Sequence, residues 1–242
     1  MNASSATASD TRQLPASNRL LDCMPRAERQ RFLGHCELVE LRFAEILCEP
    51  GDRIKSVYFP MNSYISLLAP AGERTSLEAG LIGNEGMLGV ARILEIDMSP
   101  LRAVVAGSGL AMRMTAALFT RELQGSAALR RQLNRYLYAL MAQFAQGGAC
   151  ARYHDVNSRL ARWLLTTQDR AHSNHFYFTH EFLASILGVR RVGVTAAAGR
   201  LQRDKLINYR RGNIEIVDRR GLEASACECY ASIKNTYDRF LR

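Results

Sequence analysis

Residues 179–217 constrain the fold most, because their pattern predicts two helices joined by a tight turn. Thr179 is a good N-cap, since its side-chain oxygen can accept a bond from an unpaired N–H of the first helical turn. Apolar residues recur at helical spacing from Phe182 to Leu187. Gly188 follows them, where a helix that must stop needs a residue that tolerates positive φ. A second helix resumes at once, so the segment predicts a helix-turn-helix.

The second helix of this segment has one apolar face and one cationic face. We expect the apolar residues to point inward: Val194, Ala197, Ala198 and Leu201. We expect the other face to be available to a ligand: Arg190, Arg191, Thr195 and Arg200. Arginines that open the second helix are typical of a recognition helix that lies in a DNA major groove.

A short hairpin follows the two helices directly. Ile207, Tyr209, Ile214 and Ile216 have strand character, and residues 210–213 (Arg-Arg-Gly-Asn) are typical of a turn. A helix-turn-helix followed by such a hairpin is a winged helix, and its Arg210 and Arg211 would contact phosphates. The alternative is a helical hairpin packed on any core, with arginines that are merely solvated.

The charge of the chain favours an anionic partner. The formal net charge is +9 and the pI is about 9.6. Residues 151–242 contain 16 Lys and Arg against 9 Asp and Glu, whereas residues 1–150 contain 16 against 14. The excess therefore lies in the half that contains the helix-turn-helix, which favours nucleic acid as the partner.

No membrane partner is expected from the sequence. No apolar run approaches the roughly 20 residues that span a bilayer. Residues 1–17 lack the apolar core of a secretory signal and indicate a disordered leader. We therefore expect a cytoplasmic protein.

The first half of the chain changes character after a short helical region at residues 18–36. Short apolar segments alternate with turn residues as far as residue 115, with no helical pattern between them. This pattern favours an antiparallel, jelly-roll-like β-roll over a parallel sheet. The fold class predicted for the chain is α+β: a β-roll at 18–115, a long helix and hinge at 116–148, and a winged helix-turn-helix domain with a C-terminal helix at 149–242.

The long helix has one apolar stripe, formed by Leu129, Leu133, Leu137, Leu140 and Phe144. A stripe so close to a heptad fits a coiled-coil dimer seam, and it equally fits a helix packed on its own domain. Gly147 and Gly148 are expected to interrupt this helix and to form the hinge.

The cysteines and histidines give no clear catalytic or metal pattern. The spacings of the six cysteines match no zinc ribbon. Cys227 and Cys229 fall in a predicted C-terminal helix, where residues two apart point to different sides. We expect free thiols and no metal, with metal or iron–sulfur ligation as the lesser alternative. The histidines form no nucleophile–base arrangement, so an enzyme is not expected.

The order of roll, long helix and winged helix resembles the Crp/Fnr family of bacterial transcription regulators. The most specific segments are CEPGDRIKSVYFPMNSYISLL (48–68) and NSRLARWLL (157–165), together with the winged helix. The resemblance implies a cyclic-nucleotide-binding-like roll, a second domain that binds double-stranded DNA, and a homodimer, with RNA polymerase as a further candidate partner. It favours the dimer-seam interpretation of Leu133, Leu137, Leu140 and Phe144.

The resemblance also assigns roles on the recognition helix. It places Arg191 where the family presents an arginine to guanine O6 and N7, and it places Arg190 beside it, near phosphate. Val192 stands where a glutamate is usual and would contact a thymine methyl, while Ala196 replaces a second base-reading arginine. Thr195, Arg200 and the wing arginines Arg210 and Arg211 are further candidates for phosphate or base-edge contacts.

The nucleotide pocket implied by the resemblance departs from the family pattern. Glu85 within Gly83–Gly86 would be the ribose ligand, and Arg102 within Ser99–Ala103 the phosphate ligand, but each segment is shifted by an inserted residue. Phe144 falls where the cyclic-AMP binders supply hydroxyls to the adenine. We therefore expect no tight cyclic-AMP binding and no cofactor, and the sequence leaves an unidentified small-molecule effector open. The competing function is a ligand-binding module that acts on a protein partner rather than on DNA.

Overall fold

The computed structural model describes residues 17–70, 72 and 76–241. Residues 1–16 of the predicted leader lie outside this part of the chain. Two short helices open the described chain, α1 (Arg19–Asp22) and α2 (Arg26–Gly34). The Asn18 side chain caps α1 and donates hydrogen bonds to the carbonyl oxygens of Pro60 (2.8 Å) and Gly86 (2.9 Å), which fixes α1 on the roll.

Two antiparallel sheets follow, and they confirm the predicted β-roll. The strands are β1 (Glu37–Leu41), β2 (Ile46–Cys48), β3 (Ser56–Pro60), β4 (Tyr64–Pro70), β5 (Ser76–Ile82), β6 (Arg102–Gly107) and β7 (Gly109–Thr115). One sheet has the order β1-β7-β3 and the other the order β2-β6-β4-β5. A 3₁₀ helix at Val90–Leu94 lies between β5 and β6. Residues such as Ile65, Val105 and Ala111 are fully buried between the sheets and form the core of the roll.

The predicted long helix consists of two helices, α3 (Ala116–Gly125) and α4 (Ala127–Tyr153). The prediction that Gly147 and Gly148 interrupt the helix is wrong, because α4 continues through both residues. A side chain at 147 would be crowded, since a Cβ there would lie 3.3 Å from the carbonyl oxygen of Ala79. The helix ends at His154, which is extended, and Asp155 caps the next helix. The connection between the two halves is therefore at residues 154–155.

The second half is a winged helical domain. Its elements are α5 (Val156–Ala171), β8 (His175–Tyr177), α6 (His180–Leu187), α7 (Arg191–Arg203), β9 (Ile207–Arg210), β10 (Asn213–Ile216), α8 (Arg219–Ser225) and α9 (Cys229–Phe240). The wing is a three-stranded sheet of order β8-β10-β9, in which β8 extends the predicted hairpin. Helix α9 packs back against α4.

The two halves share buried contacts. Trp163 of α5 is 1% exposed and donates from Nε1 to both carboxylate oxygens of Glu78 on β5, at 3.0 and 3.2 Å. Arg170 of α5 forms a buried ion pair with Glu85 after β5, at 2.6 Å. The core of the winged domain is therefore continuous with one face of the roll.

No single helix in the described residues is long and apolar enough to cross a membrane. Helices α6 and α7 reach the required length and composition only together, as a pair bent by 106°. The inner faces of both helices are buried in the protein, at Leu183 and Leu187 of α6 and at Val194 and Leu201 of α7.

Candidate nucleic-acid interface

The turn between α6 and α7 has the geometry of a helix-turn-helix. The hydroxyl oxygen of Thr179 accepts a hydrogen bond from the Phe182 amide at 3.1 Å, as its capping role predicts. Gly188 ends α6 with φ +62°, and a Cβ there would lie 2.9 Å from Leu77 Cδ1. The 106° bend between the helices lies within the range of helix-turn-helix units, and it confirms the predicted motif.

Helix α7 presents the face that the sequence predicts. Its inward residues are all buried: Val194, Ala197, Ala198 and Leu201. The candidate DNA ligands on this helix are all exposed: Arg190, Arg191, Val192, Thr195 and Arg200. Arg190 is the N-cap and Arg191 the first helical residue, so both lie at the positive end of the helix dipole, where phosphate is stabilised. The protein's own core leaves this face open.

The arginines of this surface are available to an anion. Arg190, Arg191, Arg200, Arg203, Arg210 and Arg211 form no ion pair with any other residue that the structure describes. Arginines elsewhere do pair, as Arg113 does with Glu37 at 2.6 Å. The helix-turn-helix therefore has an uncompensated positive surface, which is the electrostatic property that a phosphate backbone requires.

The wing adds two of these arginines at its tip. Arg211 (φ +52°) and Gly212 (φ +90°) both adopt positive φ between the paired residues Arg210 and Asn213. Two central residues with positive φ are the pattern of a type I′ hairpin, whose twist matches that of the flanking strands. Arg210 and Arg211 are both exposed, so the hairpin presents them to solvent beside the helix-turn-helix.

A network of three side chains links α6, α7 and the wing: His180, Thr195 and Tyr209. Of these, the sequence indicated only Thr195 as a candidate site residue. Thr195 donates to the Arg191 carbonyl oxygen (3.1 Å) and lies 2.9 Å from Nδ1 of His180. The His180 ring stacks on Tyr209 at 4.6 Å between centroids. Burial and the positive charge of Arg191 lower the pKa of His180, which favours the neutral ring. The Thr195 hydroxyl, a predicted DNA ligand, is thus already engaged in positioning α7.

Comparison with known proteins agrees with this geometry. Residues 158–225 match the family model of the Crp-like helix-turn-helix domain. A Eubacterium rectale protein assigned to the Crp/Fnr family of transcriptional regulators has a similar structure: its TM-score is 0.65 at 16% identity, over 85% of this chain and 96% of that one. The chain contains a Crp-like helix-turn-helix domain.

Two further solved structures share the fold. FixK2 of Bradyrhizobium japonicum has a TM-score of 0.62 at 13% identity, over 79% of this chain and 98% of its own. The c-di-GMP-responsive global regulator CLP of Xanthomonas campestris has a TM-score of 0.59 at 18% identity, over 79% and 99%. No curated protein matches the chain in sequence.

The effector residues that the Crp/Fnr pattern indicates are not brought together. Glu85 is 5% exposed, and its carboxylate accepts from Nε of Arg170, so it faces the winged domain instead of a ligand. Arg102 is exposed on β6 and donates to Glu49 at 2.7 Å. The prediction of a shared site for Glu85, Arg102 and Phe144 is therefore wrong in the structure. Long-range pairing with Arg170, which no local pattern indicates, determines where Glu85 points.

Phe144 instead lines an apolar cleft between the roll and α4. The cleft has a volume of about 610 Å³, within the range of small-molecule sites. Its lining is mostly aliphatic, with Leu67, Ile82, Met87 and Leu137 beside Phe144, and it contains no charged side chain among the described residues. Such a lining suits an apolar ligand and gives no counter-charge for a cyclic phosphate.

The predicted dimer residues divide into two pairs. Leu133 and Leu140 are 0% and 1% exposed and lie in the core that α4 forms with the roll, so the prediction that they face a partner is wrong. Leu137 and Phe144 are half-buried beside the cleft. The apolar stripe is explained by packing of α4 on its own domain, which was the alternative at the sequence level.

The cysteines depart from the sequence prediction as well. Cys229 is the first residue of α9, and Cys227 lies in the irregular segment between α8 and α9, so the expectation that a shared helix turns them to different sides is wrong. Both thiols instead meet Cys150 and His154, from the last turn of α4 and the residue after it. The hydrogen bond from Cys227 lowers the pKa of the Cys150 thiol, which favours a thiolate there.

Proposed function

We propose that this chain binds a specific DNA sequence as a homodimer and regulates transcription from that site. The observation that supports the proposal most directly is the exposed arginine surface of α7 and the wing, which forms no ion pair among the described residues. In a dimer, two copies of α7 would enter successive major grooves about one DNA turn apart.

The salt dependence of DNA binding distinguishes this proposal from a module that acts on a protein partner. If about three arginines of each chain contact phosphate, a dimer should show a slope of log K against log salt near −5. The measurement is fluorescence anisotropy with a labelled duplex over a series of salt concentrations. A slope near zero, or no binding at low salt, would favour the protein partner.

We propose that the dimer forms through an exposed stripe of α4 that lies beside the buried one. The α4 stripe consists of Asn134, Tyr138, Met141, Ala145, Gly148 and Arg152, all of them exposed and separated by four, three, four, three and four residues. This spacing is that of a coiled-coil seam. Ala145 and Gly148 are small, and a Cβ at Gly148 would meet nothing within 4 Å, so a second helix has room to approach closely.

Met141→Glu should weaken the dimer. Met141 is 61% exposed at the middle of the α4 stripe, and a two-fold seam would bring two carboxylates together and remove them from water. We expect the dimer dissociation constant to rise about tenfold or more, which corresponds to about 1.4 kcal/mol. Sedimentation equilibrium measures it. The matched control is Leu38→Glu on β1, where the leucine is 52% exposed, and it should leave the dimer dissociation constant unchanged. An unchanged dimer in Met141→Glu would place the interface elsewhere.

We propose that the pocket is degenerate as a nucleotide site and that an effector, if one acts, is apolar. Glu85 and Arg102 are held in ion pairs outside the cleft, at 2.6 Å with Arg170 and at 2.7 Å with Glu49. The cleft itself is lined by aliphatic and aromatic carbon, including Leu137 and Phe144 of α4. A ligand there would contact α4 directly, and α4 continues to the connection with the winged domain.

Cyclic AMP should leave the melting temperature of the protein unchanged. A ligand that binds only the folded state stabilises it by RT ln(1 + [L]/Kd) and so raises the melting temperature. The cleft gives the cyclic phosphate no cationic partner. Differential scanning fluorimetry with a large excess of cyclic AMP measures the shift, with adenosine as the matched compound that lacks the phosphate. A rise of several degrees with cyclic AMP alone would contradict the degenerate pocket.

A further inference from the structure

The strongest unassigned feature is a compact cluster of Cys150, His154, Cys227 and Cys229. One ligand atom from each residue lies within 4.8 Å of the other three. Cys150 Sγ is 3.5 Å from Cys227 Sγ, and Cys229 Sγ is 3.4 Å from His154 Nδ1. The three cysteines are buried, at 0%, 7% and 0% exposure, while His154 is partly exposed and leaves a path from solvent.

The donor set and its dimensions suit one tetrahedral zinc ion. Zinc binds Cys₃His sets with bonds of about 2.3 Å to sulfur and 2.0–2.1 Å to nitrogen. The edges of such a tetrahedron are about 3.8 Å between two sulfurs and about 3.6 Å between sulfur and nitrogen. The observed distances of 3.5 Å between two sulfurs and 3.4 Å between sulfur and nitrogen are close to these values. Calcium and magnesium prefer oxygen ligands, which this cluster lacks. An iron–sulfur cluster places irons and sulfides between its protein ligands, and these four atoms lie too close together to hold one.

Neighbouring residues orient the ligands as in zinc sites. The His154 Nε2 atom lies 3.1 Å from the Glu228 carboxylate, which leaves Nδ1 facing the sulfur atoms. A carboxylate on the second ring nitrogen fixes the tautomer and the orientation of a metal-binding histidine. Gln146 donates from Nε2 to Cys229 Sγ at 3.0 Å, and such a donor stabilises a thiolate. Two of the four ligands therefore already have an outer partner.

We propose that Cys150, His154, Cys227 and Cys229 bind one zinc ion. The ion joins the C-terminal end of α4 to the bend between α8 and α9, across the connection at 154–155. Zinc displaces the remaining thiol protons into solvent, so binding strengthens as the pH rises. Because the ligands come from both sides of the connection, zinc fixes the position of α9 against α4. The site is independent of the proposed DNA function, since none of its residues belongs to the arginine surface.

Metal analysis of the purified full-length protein tests the proposal. Elemental mass spectrometry should find one zinc per chain. After chelation under reducing conditions, titration with Co²⁺ should produce thiolate-to-cobalt charge-transfer absorption and the intense visible bands of a tetrahedral site, and Zn²⁺ should abolish both. Iron in place of zinc, a Cys150–Cys227 disulfide without metal, or cobalt spectra without thiolate bands would each overturn the proposal.

Three variants give the test its controls. Cys229→Ser, which removes one ligand, should bind Co²⁺ 10-fold to 100-fold more weakly. Glu228→Gln keeps all four ligands and should fold, and loss of this outer partner should weaken binding about tenfold. Cys23→Ser removes an exposed thiol outside the cluster and should retain one zinc per chain. Equal metal binding by the wild type, Glu228→Gln and Cys229→Ser would overturn the assignment even if zinc co-purifies.

Discussion

Arg191→Ala should weaken binding to the preferred DNA site by about 1–3 kcal/mol per half-site and relax the preference for guanine there. Arg191 is the first residue of α7, is exposed and forms no ion pair with the residues that the structure describes, so its guanidinium is available to base edges. A dimer carries the arginine twice, and the loss should therefore approach double that value for a symmetric site. Anisotropy titrations with the preferred duplex and with guanine-substituted duplexes measure both effects.

The matched control is Arg190→Ala on the adjacent N-cap. An arginine that contacts phosphate contributes similarly to the binding of every DNA sequence. Arg190→Ala should therefore weaken binding to specific and random duplexes alike and reduce the slope of log K against log salt. Equal losses on specific and random DNA for Arg191→Ala would instead make Arg191 a phosphate contact. The base-reading role would then have to be reassigned within α7.

Arg170→Ala should lower the free energy of unfolding by about 3–5 kcal/mol, because it leaves the carboxylate of Glu85 buried without its counter-ion. Both side chains of this pair are 7% exposed, and Arg170 also donates to Oε1 of Gln143 at 2.9 Å. The pair joins α5 of the winged domain to the segment after β5, so its loss weakens the contact between the two halves. Urea denaturation followed by circular dichroism measures the change.

Two further variants separate a buried charge from lost packing. Replacing both partners, as Glu85→Leu with Arg170→Met, should recover most of the stability, since a buried pair is often exchanged for apolar residues at little cost. Arg113→Ala breaks an exposed pair with Glu37 and should cost less than about 1 kcal/mol. A loss below about 1 kcal/mol for Arg170→Ala would show that the two halves do not pack as described.

The winged helix could be predicted from sequence because its signals are local. The Thr179 cap, the Gly188 turn and the inward residues of α7 are each determined by neighbours within a few positions, and the structure contains all three. The antiparallel roll was likewise predictable from its short strands and turns. Periodicity shows that one face of α4 is buried, but not what covers it. Leu133 and Leu140 are in fact covered by the roll of their own chain, which the pattern alone could not show. The exposed α4 stripe lies beside them.

The buried ion pair and the cysteine cluster could not be predicted because their partners are distant in sequence. Glu85 and Arg170 are 85 residues apart, and Cys150 and Cys227 are 77 residues apart. Cys150 and His154 are four positions apart, about one helical turn, and this spacing is a local signal for a shared site. The assumption of a regular helix at 227–229 hid the second half of the site, because the chain bends before α9 begins.

Selection of bound duplexes from a random pool tests the central claim most directly, namely that α7 reads DNA as one of two copies. We expect a consensus of two inverted half-sites about one helical turn apart, with a guanine in each half that Arg191→Ala no longer selects. A selected pool without two-fold symmetry, or one that is identical for the wild type and Arg191→Ala, would contradict the account.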